Sequence, residues 1–80
     1  MPKLKRISGK DLLALLLREG FLLLRQKSSH VRLVMKTENA SHFVTIPLHD
    51  ELDRGTEKAI IRSLGRCLSQ EKIEQLFYTE

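Results

Sequence analysis

The chain has 80 residues, of which 41% are apolar and 30% are charged, and its formal net charge is +4. This length and composition predict one small globular domain, residues 1–80, without room for a second core. The longest apolar run, Leu12 to Leu17, is far shorter than the about 20 residues that cross a bilayer, no signal peptide is recognisable, and a single cysteine excludes an internal disulfide. We therefore expect a cytoplasmic protein that does not bind membranes.

The positive charge lies almost entirely in the first half of the chain. Residues 1–36 hold nine Lys/Arg and two Asp/Glu, a net of +7, whereas residues 37–80 hold five Lys/Arg and eight Asp/Glu, a net of −3. A clustered basic region is typical of proteins that bind a polyanion such as RNA. A solvated basic surface without a specific partner is the alternative.

The first predicted element is a helix that begins after Ser8. The Ser8 hydroxyl can accept from a free backbone N–H, and Asp11, three residues later, completes a pair resembling a capping box. One arc of this helix is wide enough to be a core face, and it contains Leu12, Leu13, Leu16 and Leu17. Leu15 lies off that arc and is expected at the surface, and Gly20 is expected to end the helix.

Three strands are predicted next. Phe21–Arg25 is an apolar run of strand length, and residues 26–29 form a polar turn. From His30 to Lys36 the pattern alternates strictly, with Val31, Leu33 and Met35 on one face and His30, Arg32, Val34 and Lys36 on the other. After a turn at residues 37–41, His42–Ile46 is the third strand, and Pro47 ends it.

The rest of the chain predicts two helices. Residues 48–55 form a charged loop, and Thr56 is expected to cap a helix that ends at Gly65. Its inward residues are expected to be Ala59, Ile60 and Leu64. Ser69 caps a short third helix. The resulting α-β-β-β-α-α order predicts an α+β fold, in which a three-stranded antiparallel sheet has helices on one face and leaves His30, Arg32 and Lys36 on the open face.

His30 is the main candidate for a catalytic residue. Histidine can both accept and donate a proton near neutral pH, and RNA phosphodiester cleavage needs a base for the 2′-hydroxyl, an acid for the leaving 5′-oxygen and cations for the developing charge. Candidates for RNA binding lie around it in the sequence: the basic Arg25, Lys27 and Arg32, and the hydroxyl-bearing Ser28 and Ser29. A solvated surface histidine is the competing interpretation.

The other candidates are weaker. His49 is either a second acid/base or RNA contact or a residue that stabilises its loop, and the latter is favoured. His42 is expected at a strand edge, Phe43 either stacks on a base or covers the sheet, and Cys67 is expected to be a packed thiol. The three histidines lack metal-ligand spacing with the cysteine, so neither a metal site nor another cofactor is expected.

Five segments resemble, in order and spacing, those of the HicA (YcfA-like) toxin family. Residues 8–12, SGKDL, resemble its SGKEL opening, and residues 19–21, EGF, resemble its NGF. Residues 25–30, RQKSSH, resemble RQKGSH, the segment with the family's catalytic histidine. Residues 44–49, VTIPLH, resemble VTVPxH, and residues 55–65 resemble the helix GTLRSILKQAG. The resemblance covers nearly the whole chain.

The resemblance implies a fold like a double-stranded RNA-binding domain, α-β-β-β-α with a short C-terminal helix. It also implies an mRNA interferase, a toxin that cleaves mRNA with His30 as its catalytic residue and that a HicB-type antitoxin neutralises. Ser28 stands where the family has glycine, so the turn before His30 is expected to differ. The alternatives are a non-catalytic RNA-binding module and a domain that binds only protein; sequence-specific DNA binding is not expected.

Overall fold

The first helix forms as its sequence predicts. In the computed structural model, which describes residues 3–79, a short strand β1 (Lys3–Leu4) precedes α1 (Gly9–Arg18). The Ser8 hydroxyl accepts from the backbone N–H of Asp11 at 3.0 Å. Gly20, with φ = 105°, follows the last turn in the left-handed conformation that glycine adopts at low cost.

The central feature is a three-stranded antiparallel sheet in the order β2-β3-β4. Its strands are β2 (Leu22–Lys27), β3 (His30–Lys36) and β4 (Ser41–Pro47). The predicted four-residue turn at 26–29 is wrong, because β2 continues to Lys27 and leaves only residues 28–29 as the turn. The reason is that Gln26 and Lys27 pair with Val31 and His30, which extends the ladder. A bulge between Leu23 and Arg25 shifts the register of β2.

The helices α2 (Arg54–Leu64) and α3 (Gln70–Phe77) complete the predicted set, and Ser69 caps α3 by accepting from the N–H of Lys72 at 3.1 Å. The core lies between the helices and the inner face of the sheet. Its buried members from the sheet are Val31, Leu33, Val44 and Ile46, and those from the helices include Leu12, Leu16, Ile60, Leu64, Ile73 and Phe77. The predicted α+β class, with a fold like a double-stranded RNA-binding domain, is confirmed.

Two leucines of α1 are placed differently from the prediction. Leu15 is half-buried against the core, whereas Leu17 is 43% exposed. The buried stripe is centred between Leu12 and Leu16, both 0% exposed. At about 100° per residue, Leu13 and Leu15 flank this stripe about 80° to either side, and Leu17 lies about 120° away.

The second helix also starts and packs differently from the prediction. It begins about one turn earlier than predicted, because Asp53 rather than Thr56 occupies the N-cap position. Ala59 is exposed, and the carboxylate-bearing Glu57 is buried instead, at 1% exposure.

One residue of the sheet also differs from the prediction. Val34, expected on the open face of the sheet, is only 3% exposed. Its register neighbours Leu22 and Phe43 flank it on that face.

The two ends of the described chain form a second, two-stranded sheet that the sequence analysis does not predict. β1 pairs antiparallel with β5 (Tyr78–Thr79), with Leu4 opposite Tyr78. Two-residue strands are too short to show an alternating pattern, so no periodicity marks them. Within residues 3–79, no helix is long and apolar enough to cross a membrane.

Candidate active site on the open face of the sheet

The β2–β3 hairpin brings most of the predicted site residues together. Arg25 lies opposite Arg32 and Lys27 lies opposite His30, while Arg32 is also opposite Thr45 of β4. Because register partners project from the same face, these side chains share the face that the helices leave open. They line one open concavity of about 350 Å³, together with Ser28. Thr45 is the member that sequence reasoning missed, although the inward positions of Val44 and Ile46 imply that Thr45 faces outward.

The ring of His30 is exposed at the start of β3. The Ser29 hydroxyl lies 3.5 Å from Nδ1 of His30, at the long limit of a hydrogen bond. A hydroxyl on Nδ1 leaves Nε2 as the ring nitrogen that can exchange a proton with a bound molecule. Of the two predicted serines, Ser29 therefore contacts the histidine and Ser28 lines the concavity.

Within the described residues, the cations of the concavity have no carboxylate partners. Among residues 3–79, the ion pairs within 4.0 Å are Arg6–Glu51 and Lys72–Glu19, and neither includes Arg25, Lys27 or Arg32. The charges of these three side chains are therefore available to an external anion. Lys36, predicted on the same face, lies at the far end of β3 opposite Ser41 and does not line the concavity.

Phe43 extends the site along β4. Its ring is 45% exposed and lies under the guanidinium of Arg32, with 4.9 Å from Cζ to the ring centroid. Such a cation–π contact holds the arginine in place without neutralising its charge. The outward position also leaves a π-face on which a base can stack.

Ser28 does not change the turn in the way that its sequence predicts. Its φ of 56° is left-handed, the conformation that the family's glycine would adopt there. A serine in this region costs about 1–2 kcal/mol relative to a relaxed backbone. The hairpin therefore keeps its two-residue turn, and His30 keeps its place opposite Lys27, at the expense of local strain.

His49 lies beside His30, although the sequence analysis favoured a loop-stabilising role. The ring centroids are 6.4 Å apart, with an interplanar angle of 76°. The backbone N–H of Leu48 donates to the carbonyl of Ser29 at 2.6 Å, and that of Gly9 donates to the carbonyl of His49 at 2.9 Å. The pairing of β3 with β4 accounts for this proximity, because Pro47 is the register partner of His30 and His49 is two residues further on.

Gly9 is the residue that permits this arrangement. A Cβ built on Gly9 would overlap the carbonyl oxygen of Pro47 and lie 2.8 Å from Cα of Leu48. Only glycine therefore lets the start of α1 approach the end of β4 this closely. The first free N–H of the helix is used to hold the loop that carries His49.

Three ionisable groups near or behind the site have shifted pKa values. Interaction with the Thr56 hydroxyl lowers the pKa of the Asp53 carboxyl, and the proximity of His49 contributes a smaller effect in the same direction. Burial raises the pKa of Glu57, and burial likewise raises that of the half-buried Cys67 thiol. Cys67 is therefore a packed thiol.

Within the described residues, no three His, Cys, Asp or Glu side chains cluster as metal ligands do.

Comparison with known proteins gives one finding. The model of the family described as HicA toxin of bacterial toxin–antitoxin matches residues 9–65, which include α1, the whole three-stranded sheet and α2. No curated protein and no solved structure matches the chain. The match covers well over half of the sequence and every residue that lines the concavity. The chain belongs to the HicA toxin family of bacterial toxin–antitoxin systems.

Proposed function

We propose that this toxin is a metal-independent endoribonuclease, an mRNA interferase, in which His30 acts as general acid/base. One observation carries the proposal. An exposed histidine lies in the same concavity as Arg25, Lys27 and Arg32, whose charges have no carboxylate partner among residues 3–79. Membership in a toxin family supports a damaging activity for this arrangement, and the resemblance of residues 25–30 to the RQKGSH segment implies that the target is RNA.

The chemistry follows from the side chains. The two guanidinium groups and the ammonium hold a phosphate of the RNA backbone and stabilise the charge that develops on it. Ser28 and Thr45 supply hydroxyls to the same phosphate or its sugar. The imidazole of His30 transfers a proton when the 2′-oxygen attacks phosphorus and the bond to the 5′-oxygen breaks.

The test is cleavage of a labelled mRNA by purified protein. Wild type should cut it, should still cut it in excess EDTA, and should leave a 2′,3′-cyclic phosphate and a 5′-hydroxyl. His30→Ala should be slower by about 10²–10⁴-fold, the usual share of general acid/base catalysis. His42→Ala is the matched control, because His42 lies on β4 outside the concavity. A His30→Ala protein that cuts at the wild-type rate would refute the assignment.

The alternative, a non-catalytic RNA-binding module with the same fold, predicts binding without cleavage. The cleavage assay separates the two, because both require RNA affinity but only the proposed enzyme cuts RNA and loses that activity in His30→Ala. A gel-shift assay separates both from a domain that binds only protein. If Arg25, Lys27 and Arg32 each displace one counterion from single-stranded RNA, affinity should fall about 20-fold between 50 and 200 mM salt. Affinity that is independent of salt would exclude both RNA-based functions.

We further propose that the antitoxin is of the HicB type and covers the concavity with an acidic surface. Three cations without a carboxylate partner among residues 3–79 attract such a surface and align it, which speeds association. The inhibited complex should protect His30 from modification by diethyl pyrocarbonate. Full reactivity of His30 in that complex would mean that inhibition acts at a distance.

A further inference from the structure

The second histidine of the site is held in a defined position relative to the first. The rings of His30 and His49 stand edge to face, with centroids 6.4 Å apart, and both side chains are exposed. They come from different segments, the start of β3 and the loop after β4. His30 lines the concavity, and His49 stands beside His30, so the pair suggests a shared chemical role.

Three backbone links hold together the two segments that carry the rings. His30 is paired in the sheet with Pro47, the N–H of Leu48 donates to the carbonyl of Ser29, and the N–H of Gly9 donates to the carbonyl of His49. The loop that carries His49 is thus attached both to the turn before His30 and to the first turn of α1. Catalytic groups need this kind of support, because small displacements reduce their efficiency strongly.

The proposed reaction has two proton transfers at opposite sides of phosphorus. The attacking 2′-oxygen and the leaving 5′-oxygen lie roughly in line, so one imidazole cannot reach both at the same moment. Two imidazoles that each hydrogen-bond one oxygen, at about 2.6–3.2 Å, must be separated by roughly the width of a phosphate group. The 6.4 Å between the two centroids meets that requirement.

We propose that His49 is the second proton-transferring residue, so that His30 and His49 divide the two transfers between them. One imidazole removes the 2′-hydroxyl proton as the 2′-oxygen forms its bond to phosphorus. The other, as an imidazolium, donates a proton to the 5′-oxygen as the bond from phosphorus to that oxygen breaks. The products are a 2′,3′-cyclic phosphate and a 5′-hydroxyl, and solvent then restores both rings. The inference rests on the proposed RNA cleavage.

The competing role for His49 is purely structural, an aromatic edge that orients His30. Two substitutions separate the roles. His49→Phe keeps an aromatic ring and removes the proton, whereas His49→Gln keeps a polar side chain without an imidazole. Both are compared with His42→Ala, a histidine removed elsewhere in the same sheet, and all variants are first matched for thermal unfolding.

The experiment uses a leaving group that needs no proton. After the cleavage site of wild type is mapped, the 5′-oxygen at that site is replaced by sulfur, which departs as a thiolate. On ordinary RNA, His30→Ala, His49→Phe and His49→Gln should each be slower than wild type by about 10²–10⁴-fold. On the sulfur substrate, the variants at one of the two histidines should recover to near the wild-type rate, and those at the other should not.

The outcomes distinguish this inference from the proposed function. If His49→Phe or His49→Gln cleaves ordinary RNA within threefold of wild type, His49 transfers no proton, while the role of His30 stands. Recovery at both histidines or at neither overturns the division of roles. If His30→Ala is also fully active on ordinary RNA, the proposed function itself fails.

Discussion

The two faces of the three-stranded sheet are made by the same strands and serve opposite purposes. On the inner face, Val31, Leu33 and Ile46 are 0% exposed, whereas Arg32 and Thr45, their neighbours in sequence, are exposed in the concavity. One step along β3 therefore moves from the core to the site. The comparison teaches that the residues that stabilise the fold and those assigned to the proposed RNA cleavage are different residues, which alternate along one strand.

The largest effect on stability is expected from a substitution in the buried inner face of the sheet. Leu33→Ala removes a fully buried side chain and should lower the free energy of unfolding by about 2–5 kcal/mol, through lost burial and the cavity left behind. Arg32→Ala, the matched change on the outer face, should cost about 0.5 kcal/mol or less in stability and instead weaken RNA binding. Urea unfolding and gel shifts on both variants measure the two effects. Equal destabilisation by the two substitutions would contradict the separation of the faces.

A somewhat smaller effect is expected where α1 meets the end of β4. Gly9→Ala places a Cβ against the backbone of Pro47 and Leu48, so the loop must move, at a cost of about 1–3 kcal/mol. Because this loop carries His49, the cleavage rate should fall even in the fully folded protein. Gly55→Ala is the control: its Cβ would meet the Asp53 carboxylate at an ordinary 3.5 Å, and it lies in α2. A fully active Gly9→Ala protein would show that this approach does not position the site.

A substitution in the turn before His30 should raise stability rather than lower it. Ser28→Gly relieves a left-handed serine and should raise the free energy of unfolding by about 0.5–1 kcal/mol, after subtraction of the entropy that glycine loses on folding. Ser29→Gly is the control, since Ser28 is the non-glycine residue with positive φ within residues 3–79. Ser29→Gly should lower the free energy of unfolding by about as much as Ser28→Gly raises it. Destabilisation by Ser28→Gly would mean that the serine stabilises the turn through its side chain.

The smallest expected effect concerns Glu57, which is buried behind the sheet, with an Oε2 that lacks a hydrogen-bond partner among residues 3–79. Burial raises its pKa above 4.5, and the charge of Arg54 only partly offsets this. The folded state therefore binds a proton more tightly than the unfolded state, so the free energy of unfolding decreases as pH rises from about 4.5 through the folded pKa. Glu57→Gln should remove this decrease and be more stable than wild type at pH 7. Parallel pH–stability curves for the two proteins would refute the assignment.

Much of the site was predictable because a strand has a period of two. The alternation from His30 to Lys36 predicted both the bounds of β3 and which residues face outward. The position of His49 was not predictable in the same way, since it depends on a long-range approach between Gly9 and Pro47 that no local pattern encodes. Thr45 was implied by the pattern of β4 and was missed.

The helices show where local patterns fail. The cap of α1 was correct, because Ser8 and Asp11 interact within one turn. The exchange of Leu15 and Leu17 arose because five leucines among the six residues 12–17 leave the centre of the apolar stripe undetermined until packing against the sheet selects it. Burial of Glu57 is a tertiary effect that opposes the usual preference of a carboxylate for water.

The central claim is that RNA binds the outer face of the sheet, and an NMR titration tests it most directly. ¹⁵N-labelled His30→Ala protein, which should bind RNA without cutting it, is titrated with single-stranded RNA while the backbone amide shifts are followed. The account predicts the largest changes at residues 25–32 and at Thr45 and His49, with α3 unaffected. Changes centred on α3 or on the β1–β5 pair, with the β2–β3 hairpin unperturbed, would contradict it.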